Sequence, residues 1–134
     1  MQEILISIQR PHTDNIKAFI KRIEVRKSKP KQTTPFVCYI YESKVKGGCG
    51  KVIGEFVCRG IMQPFDNLRR MAKESCLTEE ELITYSKGKP LYGWRITDLK
   101  IYDKPKKLNE FYRPCRSVIT RPPRSWCYVE TQRD

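Results

Sequence analysis

The sequence predicts an α+β domain, a small mixed β-barrel of five to six strands with two to three helices. Short runs rich in β-branched and aromatic residues are interrupted by segments with helical spacing. These segments do not alternate regularly, as they would in a doubly wound parallel sheet. With 134 residues and 39% hydrophobic content, the chain can bury one core, so residues 1–134 are predicted to form a single domain.

A strand followed by a helix is predicted at the start of the chain. Apolar and polar residues alternate over residues 3–9, which is typical of a strand. Its two faces would hold Ile4, Ile6 and Ile8 on one side and Leu5 on the other. Thr13 or Asp14 is the predicted N-cap of a helix that runs to about Ile20.

A second strand is predicted directly after that helix. Ile23 and Val25 restart the alternation, so Arg22, Glu24 and Arg26 share the opposite face. Side chains two residues apart on one face are about 7 Å apart, which long polar side chains can span. Flanking positive charge should keep the carboxyl of Glu24 ionised.

Further strands are predicted from β-prone runs. Phe36 to Tyr41 and Val52 to Val57 are two such runs, and the glycine-rich stretch Lys44 to Gly50 would connect them as paired strands. Tyr92 to Tyr102 alternates again, and Trp126 to Val129 would form the last strand.

Two more helices and one long loop complete the prediction. Phe65 to Ser75 and Thr78 to Ser86 have helical spacing. The second begins with a capping box, in which Thr78 and Glu81 would bond each other's backbone. Lys104 to Pro123 is rich in proline and charge and predicts a loop, with a short helical turn near Leu108 to Phe111.

The net charge of +12 is confined to two segments. Residues 17–31 and residues 104–125 each hold seven Lys or Arg and one Glu, and the rest of the chain is neutral. Localised positive charge favours an anionic partner, a nucleic acid first and a membrane surface second. No apolar run approaches the roughly 20 residues of a membrane span, and the N-terminus lacks signal-peptide features. We therefore expect a cytoplasmic protein whose partner is a nucleic acid or a nucleotide, with both RNA and DNA possible, and no membrane.

The six cysteines form no CxxC pair, so reduced thiols are expected. Cys38 and Cys58 lie in apolar runs and should be buried, whereas Cys49 lies among glycines and should be exposed. Cys115 and Cys127 could approach each other, but without a nearby pair of histidines they predict no zinc site. We expect neither a metal nor a cofactor.

Five segments spread over the chain resemble the ASCH domain family of the PUA-like superfamily. They are residues 6–11 (Ile-Ser-Ile-Gln-Arg-Pro), 21–27 (Lys-Arg-Ile-Glu-Val-Arg-Lys), 50–56 (Gly-Lys-Val-Ile-Gly-Glu-Phe), 92–96 (Tyr-Gly-Trp-Arg-Ile) and 121–129 (Arg-Pro-Pro-Arg-Ser-Trp-Cys-Tyr-Val). The last segment is similar to the Pro-Pro-x-Ser-Trp ending of the bacterial and phage branch. The resemblance implies a PUA-like barrel with a cleft beside the Lys-x-x-Glu-x-Arg strand, and binding of RNA or a modified nucleoside.

The resemblance also implies two enzyme activities. One family type hydrolyses an acylated cytidine with a Lys, a Thr three residues later and a more distant Glu. Lys21 matches that Lys, but Glu24 stands where the Thr is expected, and Glu55 and Glu74 both remain candidates for the distant Glu. Other members are described as ribonucleases. If the chain is an enzyme, Lys21 and Glu24 are its candidate catalytic residues.

The candidate nucleic-acid-binding residues are charged or aromatic side chains of the segments described above. Flexible cations bind phosphates by releasing counterions, and aromatic rings stack on bases. For Tyr92, Trp94 and Trp126, packing in the core is the competing interpretation, and Trp126 is expected to be the most exposed. The candidates are Arg10, Lys21, Glu24, Arg26, Lys27, Lys29, Arg124 and Trp126.

Three functions remain open on the sequence. The first is a binding module that holds RNA or a nucleotide in a basic cleft beside Lys21, Glu24 and Arg26. The second is an enzyme, an amidohydrolase or a ribonuclease, acting in the same cleft. The third is an adaptor or inhibitor that binds an acidic protein. His12, the single histidine, has no evident nucleophile partner and is expected to be a surface residue at a helix start.

Overall fold

The computed structural model describes residues 1–31, 33–63 and 67–131. Within these ranges, three α-helices and nine strands confirm the α+β class, with more strands than predicted. Two short 3-10 helices cover Val45–Gly47 and Leu108–Glu110. The elements are β1 (Gln2–Ile8), α1 (His12–Lys17), β2 (Ile23–Arg26), β3 (Phe36–Glu42), β4 (Lys51–Cys58), β5 (Ile61–Met62), α2 (Leu68–Ser75), α3 (Glu79–Ser86), β6 (Tyr92–Arg95), β7 (Thr97–Lys106), β8 (Phe111–Tyr112) and β9 (Trp126–Thr131).

The strands form two sheets. The larger has the order β7-β4-β3-β1-β9-β8, and the smaller has the order β2-β6-β5. Strands β1 and β3 are parallel and the other pairings are antiparallel. Within the described residues neither sheet closes on itself, so the predicted barrel is replaced by two open sheets packed against each other.

The predicted strand from Tyr92 to Tyr102 is two strands in different sheets. β6 pairs with β2 and β5, whereas β7 pairs with β4. At the crossing, the Ile96 amide donates to the Arg22 carbonyl at 2.8 Å. Trp94, Ile96 and Leu99 all pack against the same core, so the apolar alternation continues where the chain changes sheets. Periodicity alone therefore could not reveal the break.

Three clusters of buried side chains hold the layers together. The first core lies between the two sheets and contains Ile4, Ile6 and Ile8 of β1 together with Trp94 of β6. The second core covers the opposite face of the large sheet and includes Leu5. The predicted faces of β1 are thus confirmed, and both are buried. The third core joins the small sheet to α2 and α3 through Ile23, Val25, Met62, Met71, Ala72, Leu82 and Leu91.

Helix α1 differs from its prediction at both ends. It begins after Pro11, which makes no side-chain cap, and it ends at Lys17, three residues before Ile20. Thr13, a predicted cap, is instead the second residue of the helix and is fully buried in the protein. Its hydroxyl donates to a carboxylate oxygen of Glu42 at 2.5 Å. This tertiary partner competes successfully with the local capping bond that the sequence favours.

Helices α2 and α3 follow their predictions closely. The Thr78–Glu81 capping box is present, with 3.0 Å bonds in both directions. Asn67 caps α2 through a 2.9 Å bond from the Arg70 amide, and the predicted start at Phe65 lies outside the described residues. No helix in the described ranges is long and apolar enough to span a membrane.

The six cysteines are free thiols. Cys38 and Cys58 are buried in the first core, and Cys49 is exposed, as predicted. Cys115 is exposed and Cys127 is half-buried, and they form no disulfide.

Candidate functional site

A cleft of about 510 Å³ opens beside β2; we call it the central cleft. Its floor is the end of β1, the face of β2 that carries Glu24 and Arg26, and Lys21, which precedes β2. Helix α3 contributes Tyr85 to one wall. The segment 122–125 forms the other wall, and its residues 122–124 line the cleft; we call this segment the 122–125 wall. The cleft therefore lies on the strand that the sequence analysis singled out.

Lys21, Glu24 and Arg26 form a buried ionic cluster. Lys21 is 3% exposed and Glu24 is 6% exposed. Lys21 Nζ lies 3.4 Å from Glu24 Oε1, and Arg26 Nη2 lies 2.8 Å from Glu24 Oε2. Lys21 Nζ also donates to the Ser75 carbonyl at 2.5 Å. The three side chains lie together as predicted, but as buried groups and not as a solvated surface.

The cluster keeps Glu24 ionised. Burial acts to raise its pKa, but the charges of Lys21 and Arg26 and the hydrogen bonds from Arg26 outweigh burial and hold the pKa below the usual value of a Glu. A carboxylate in this state accepts hydrogen bonds and is a poor general acid at neutral pH.

Arg26 links three distant parts of the chain. Its Nε and Nη2 both donate to Glu24 Oε2, at 3.0 and 2.8 Å. Nη2 also donates to the Ser7 carbonyl at 2.6 Å, and Nη1 donates to Ser125 Oγ at 2.9 Å. Its donor nitrogens are thus engaged by the protein itself. Arg26 holds the 122–125 wall against β1 and β2, and its predicted contact with nucleic acid stays a prediction.

The wall has a second attachment to β1. Ser7 Oγ donates to the Pro123 carbonyl at 2.7 Å, and the Ser7 amide donates to the Ser125 carbonyl at 2.9 Å. Arg124, which lines the cleft, is exposed and is carried by this anchored backbone. Its position is therefore fixed although its side chain faces solvent.

His12 lies in the central cleft, although the sequence predicted a surface residue at a helix start. It is the first residue of α1 and is half-buried beside Lys21 and Glu24. Burial, and next the charge of Lys21, lowers its pKa. The imidazole is therefore neutral at neutral pH and can accept a proton or a hydrogen bond. The tertiary placement of α1 decides this, and no local pattern could have shown it.

Tyr85 is the second side chain of the cleft that the sequence did not identify. It sits at the end of α3, is 39% exposed, and has Lys27 Nζ 4.5 Å from its ring centre. Lys29 Nζ lies 5.8 Å from the ring centre of Tyr92. Lys27, which contacts the lining residue Tyr85, and Arg124, which lines the cleft itself, form what we call the basic rim of the cleft. Both basic segments of the sequence contribute to it.

Four predicted binding residues lie outside the lining of the cleft, namely Arg10, Lys27, Lys29 and Trp126. Arg10 is paired with Asp14 at 3.0 Å on the surface. Trp126 donates from Nε1 to Ser28 Oγ at 3.0 Å and packs edge-on against Trp94, with ring centres 5.6 Å apart. It is half-buried, as is Tyr92, whereas Trp94 is fully buried.

The central cleft is not the largest depression of the molecule. One of about 800 Å³ lies between the start of β1 and the ends of β8 and β9, where Tyr39 and Thr131 hydrogen-bond Glu3. The central cleft is smaller, but it contains the buried ionic cluster. Buried groups with perturbed pKa values, such as Glu24, are concentrated at functional sites. Within residues 1–31, 33–63 and 67–131, no three His, Cys, Asp or Glu side chains are grouped to hold a metal.

The lowered pKa of Glu24 predicts a specific dependence of stability on pH. Below pH 4.5, the usual pKa of a Glu, the unfolded chain binds a proton at Glu24 that the folded protein excludes. The free energy of unfolding therefore rises with pH in that range. The contribution of Glu24 should be complete above pH 4.5 and lost as the pH falls through the lowered folded value. Urea unfolding between about pH 6 and pH 3 should show a steeper loss for wild type than for Glu24→Gln. Glu42, whose pKa is also lowered, is present in both wild type and the variant, so its effect on stability cancels in the comparison. Parallel curves of stability against pH for the two proteins would contradict the prediction.

Comparison with solved structures identifies the fold. The chain is similar to the ASCH protein of Zymomonas mobilis, with a TM-score of 0.74 and 21% identity over 96% of this chain and 87% of that chain. A tyrosine-to-phenylalanine variant of that protein matches with a TM-score of 0.76 and 20% identity, over 97% and 91% of the two chains. A serine-to-alanine variant of the same protein matches with a TM-score of 0.76 and 21% identity, over 96% of this chain and 88% of that chain. No family model and no curated protein matches the sequence. The protein has the ASCH fold, as the resemblance implied.

Proposed function

We propose that the protein binds a nucleotide or single-stranded RNA in the central cleft. The observation that carries this proposal is the buried Lys21–Glu24–Arg26 cluster, which opens into a cleft with a basic rim. Burying ions costs several kcal/mol each, and a packed apolar cluster of similar volume is often as stable. A polar ligand recognised by these groups accounts for their presence.

Glu24 is suited to read the edge of a base. Its Oε2 accepts from Arg26, while Oε1 faces Lys21 at 3.4 Å and retains acceptor capacity. A carboxylate accepts from the amino groups and ring N–H groups on the edges of bases. Tyr85 presents an aromatic ring at the same cleft, and stacking on such a ring is how unpaired bases are commonly held.

The basic rim is suited to phosphates. Lys27 comes from the first basic segment and Arg124 from the second, and both are exposed. Cations at the mouth of a cleft gain affinity from counterion release, which requires no exact geometry. This arrangement accounts for the confinement of the surplus charge to two distant segments of the sequence.

The proposal is tested by fluorescence anisotropy with a labelled single-stranded RNA, between about 50 and 200 mM salt. We expect the double variant Lys27→Glu and Arg124→Glu to lower affinity at least about tenfold and to flatten the salt dependence. The matched control is Lys73→Glu with Lys100→Glu, which changes charge equally at exposed positions outside the cleft. Equal losses in the two double variants, or no loss in the first, would contradict the proposal. A DNA strand of the same sequence decides between the two nucleic acids.

An enzyme acting on RNA or on a modified nucleoside is the second candidate. It is favoured by His12, which is neutral at neutral pH and faces Lys21 and Glu24 across the same cleft. Glu24 in place of the expected Thr still separates the chain from the acylcytidine-hydrolysing type. Mass spectrometry of the RNA recovered from the binding experiment, and of an acylated cytidine incubated alongside, decides the point. Cleaved RNA or deacylated nucleoside would support the enzyme, provided that Lys21→Met abolishes it.

A further inference from the structure

Two exposed apolar side chains follow the C-cap of helix α1. Phe19 is 64% exposed and Ile20 is 60% exposed. Two consecutive large apolar residues at this exposure form a small patch of apolar surface. The patch belongs to the first basic segment, directly before Lys21.

The backbone at Phe19 has a conformation that favours glycine. The Phe19 amide donates to the Ile16 carbonyl at 2.9 Å, and the Ile20 amide donates to the Asn15 carbonyl at 3.0 Å. These two bonds form a Schellman motif, in which the residue after the helix cap is left-handed and is most often Gly. Phe19 has φ +60°, which is unfavourable for a bulky side chain.

Capping does not explain either side chain. The apolar contact that accompanies a Schellman motif would here join Ile20 to Asn15, which is polar. Phe19, at 64% exposure, gains little from packing. An aromatic ring is therefore held in solvent at a strained position where glycine would fit without strain.

The surroundings of the patch are cationic and adjoin the central cleft. Lys17 and Arg22 flank it and are exposed, and Lys17 also pairs with Glu42 at 3.5 Å. Lys21 lines the cleft. Because successive Cα atoms are about 3.8 Å apart, the Cα atoms of Phe19 and Lys21 are within roughly 8 Å of each other.

We propose that Phe19, with Ile20 beside it, is a stacking platform for a second nucleobase, adjacent to the one held in the central cleft. The ligand class is single-stranded RNA of more than one nucleotide, whose phosphates meet Lys17 and Arg22. Stacked aromatic rings between cations are typical of proteins that bind unpaired strands. This inference rests on the proposed function and extends it from a single nucleotide to a strand.

The test compares two ligands and three variants. The ligands are a ten-nucleotide single-stranded RNA and a nucleoside monophosphate, which can fill only the central cleft. Phe19→Gly should lower affinity for the strand by about 5- to 150-fold, the usual contribution of one stacked base, and leave monophosphate affinity unchanged. Phe19→Trp should retain binding of the strand. Val118→Ala, which trims another exposed apolar side chain, is the control.

The outcomes separate the platform from the cleft. Thermal unfolding of Phe19→Gly should be unchanged or raised in Tm, because the substitution relieves the backbone. If wild type binds both ligands and Phe19→Gly binds the strand equally well, the platform is refuted and the cleft stands. If wild type binds neither ligand, the proposed function and the platform both fail. Loss of binding to vesicles containing anionic lipid, with RNA affinity unchanged, would assign the patch to a membrane surface instead.

Discussion

Glu24→Ala should lower the free energy of unfolding by about 3–5 kcal/mol, the range for removing one partner of a buried ion pair. The change leaves Lys21, which is 3% exposed, without its carboxylate, and deprives Arg26 of two hydrogen bonds. Both cations then lie in a poorly solvated site without a counter-charge. Urea unfolding at neutral pH measures the loss.

Two further variants show whether charge is the cause. Glu24→Gln keeps the volume and one acceptor but not the charge, and should lose much of the same stability. Adding Lys21→Met to Glu24→Ala removes one stranded cation and should recover part of the loss, as coupled residues do in a double-mutant cycle. A loss below about 1 kcal/mol for Glu24→Ala would mean that the cluster behaves as a surface ion pair.

Trp94→Ala should destabilise the protein by a similar amount, about 3–5 kcal/mol, the usual range for deleting a large buried aromatic. Trp94 is fully buried in the first core between the two sheets. Its ring packs edge-on against Phe36, with centres 5.3 Å apart, and its Nε1 donates to the Ser28 carbonyl at 3.2 Å. Removing it leaves a large cavity between the sheets and an unpaired carbonyl. Thermal or urea unfolding would record the change.

Trp126→Ala is the matched comparison for Trp94→Ala. Trp126 touches the same cluster but is only half-buried, and its Nε1 bonds Ser28 Oγ. Its truncation should therefore cost clearly less than that of Trp94. Equal losses would mean that burial between the sheets is not what makes Trp94 important, and would contradict the two-sheet account of the core.

Local chemistry made much of the fold predictable. The alternation over β1 placed Ile4, Ile6 and Leu5 on the faces that they occupy, because pleat geometry depends only on neighbouring residues. The capping box at Thr78 is likewise local. The sheet change at Ile96 was not predictable, since both halves face one core. The open sheets, in place of a barrel, depend on strand pairings between residues far apart in sequence.

The candidate site likewise has features that local sequence predicts and features that depend on tertiary contacts. The proximity of Glu24 and Arg26 follows from strand spacing, and the structure shows this pair together with the Lys21–Glu24 pair. Their burial depends on α3 and on the 122–125 wall, which pack from elsewhere in the chain. His12 could not be assigned to the cleft for the same reason.

The attachment of the 122–125 wall to Ser7 and Arg26 has a consequence for protein synthesis. The ribosome makes the floor of the cleft first, and a nascent chain can carry Lys21, Glu24 and Arg26 long before Ser125 exists. Until residues 122–131 emerge, β1 lacks its partner β9, Arg26 lacks one of its acceptors, and the cations stay open to water. The cleft is thus completed only after residues 122–131 have been translated, so its complete form marks a chain that has been made and folded through this segment.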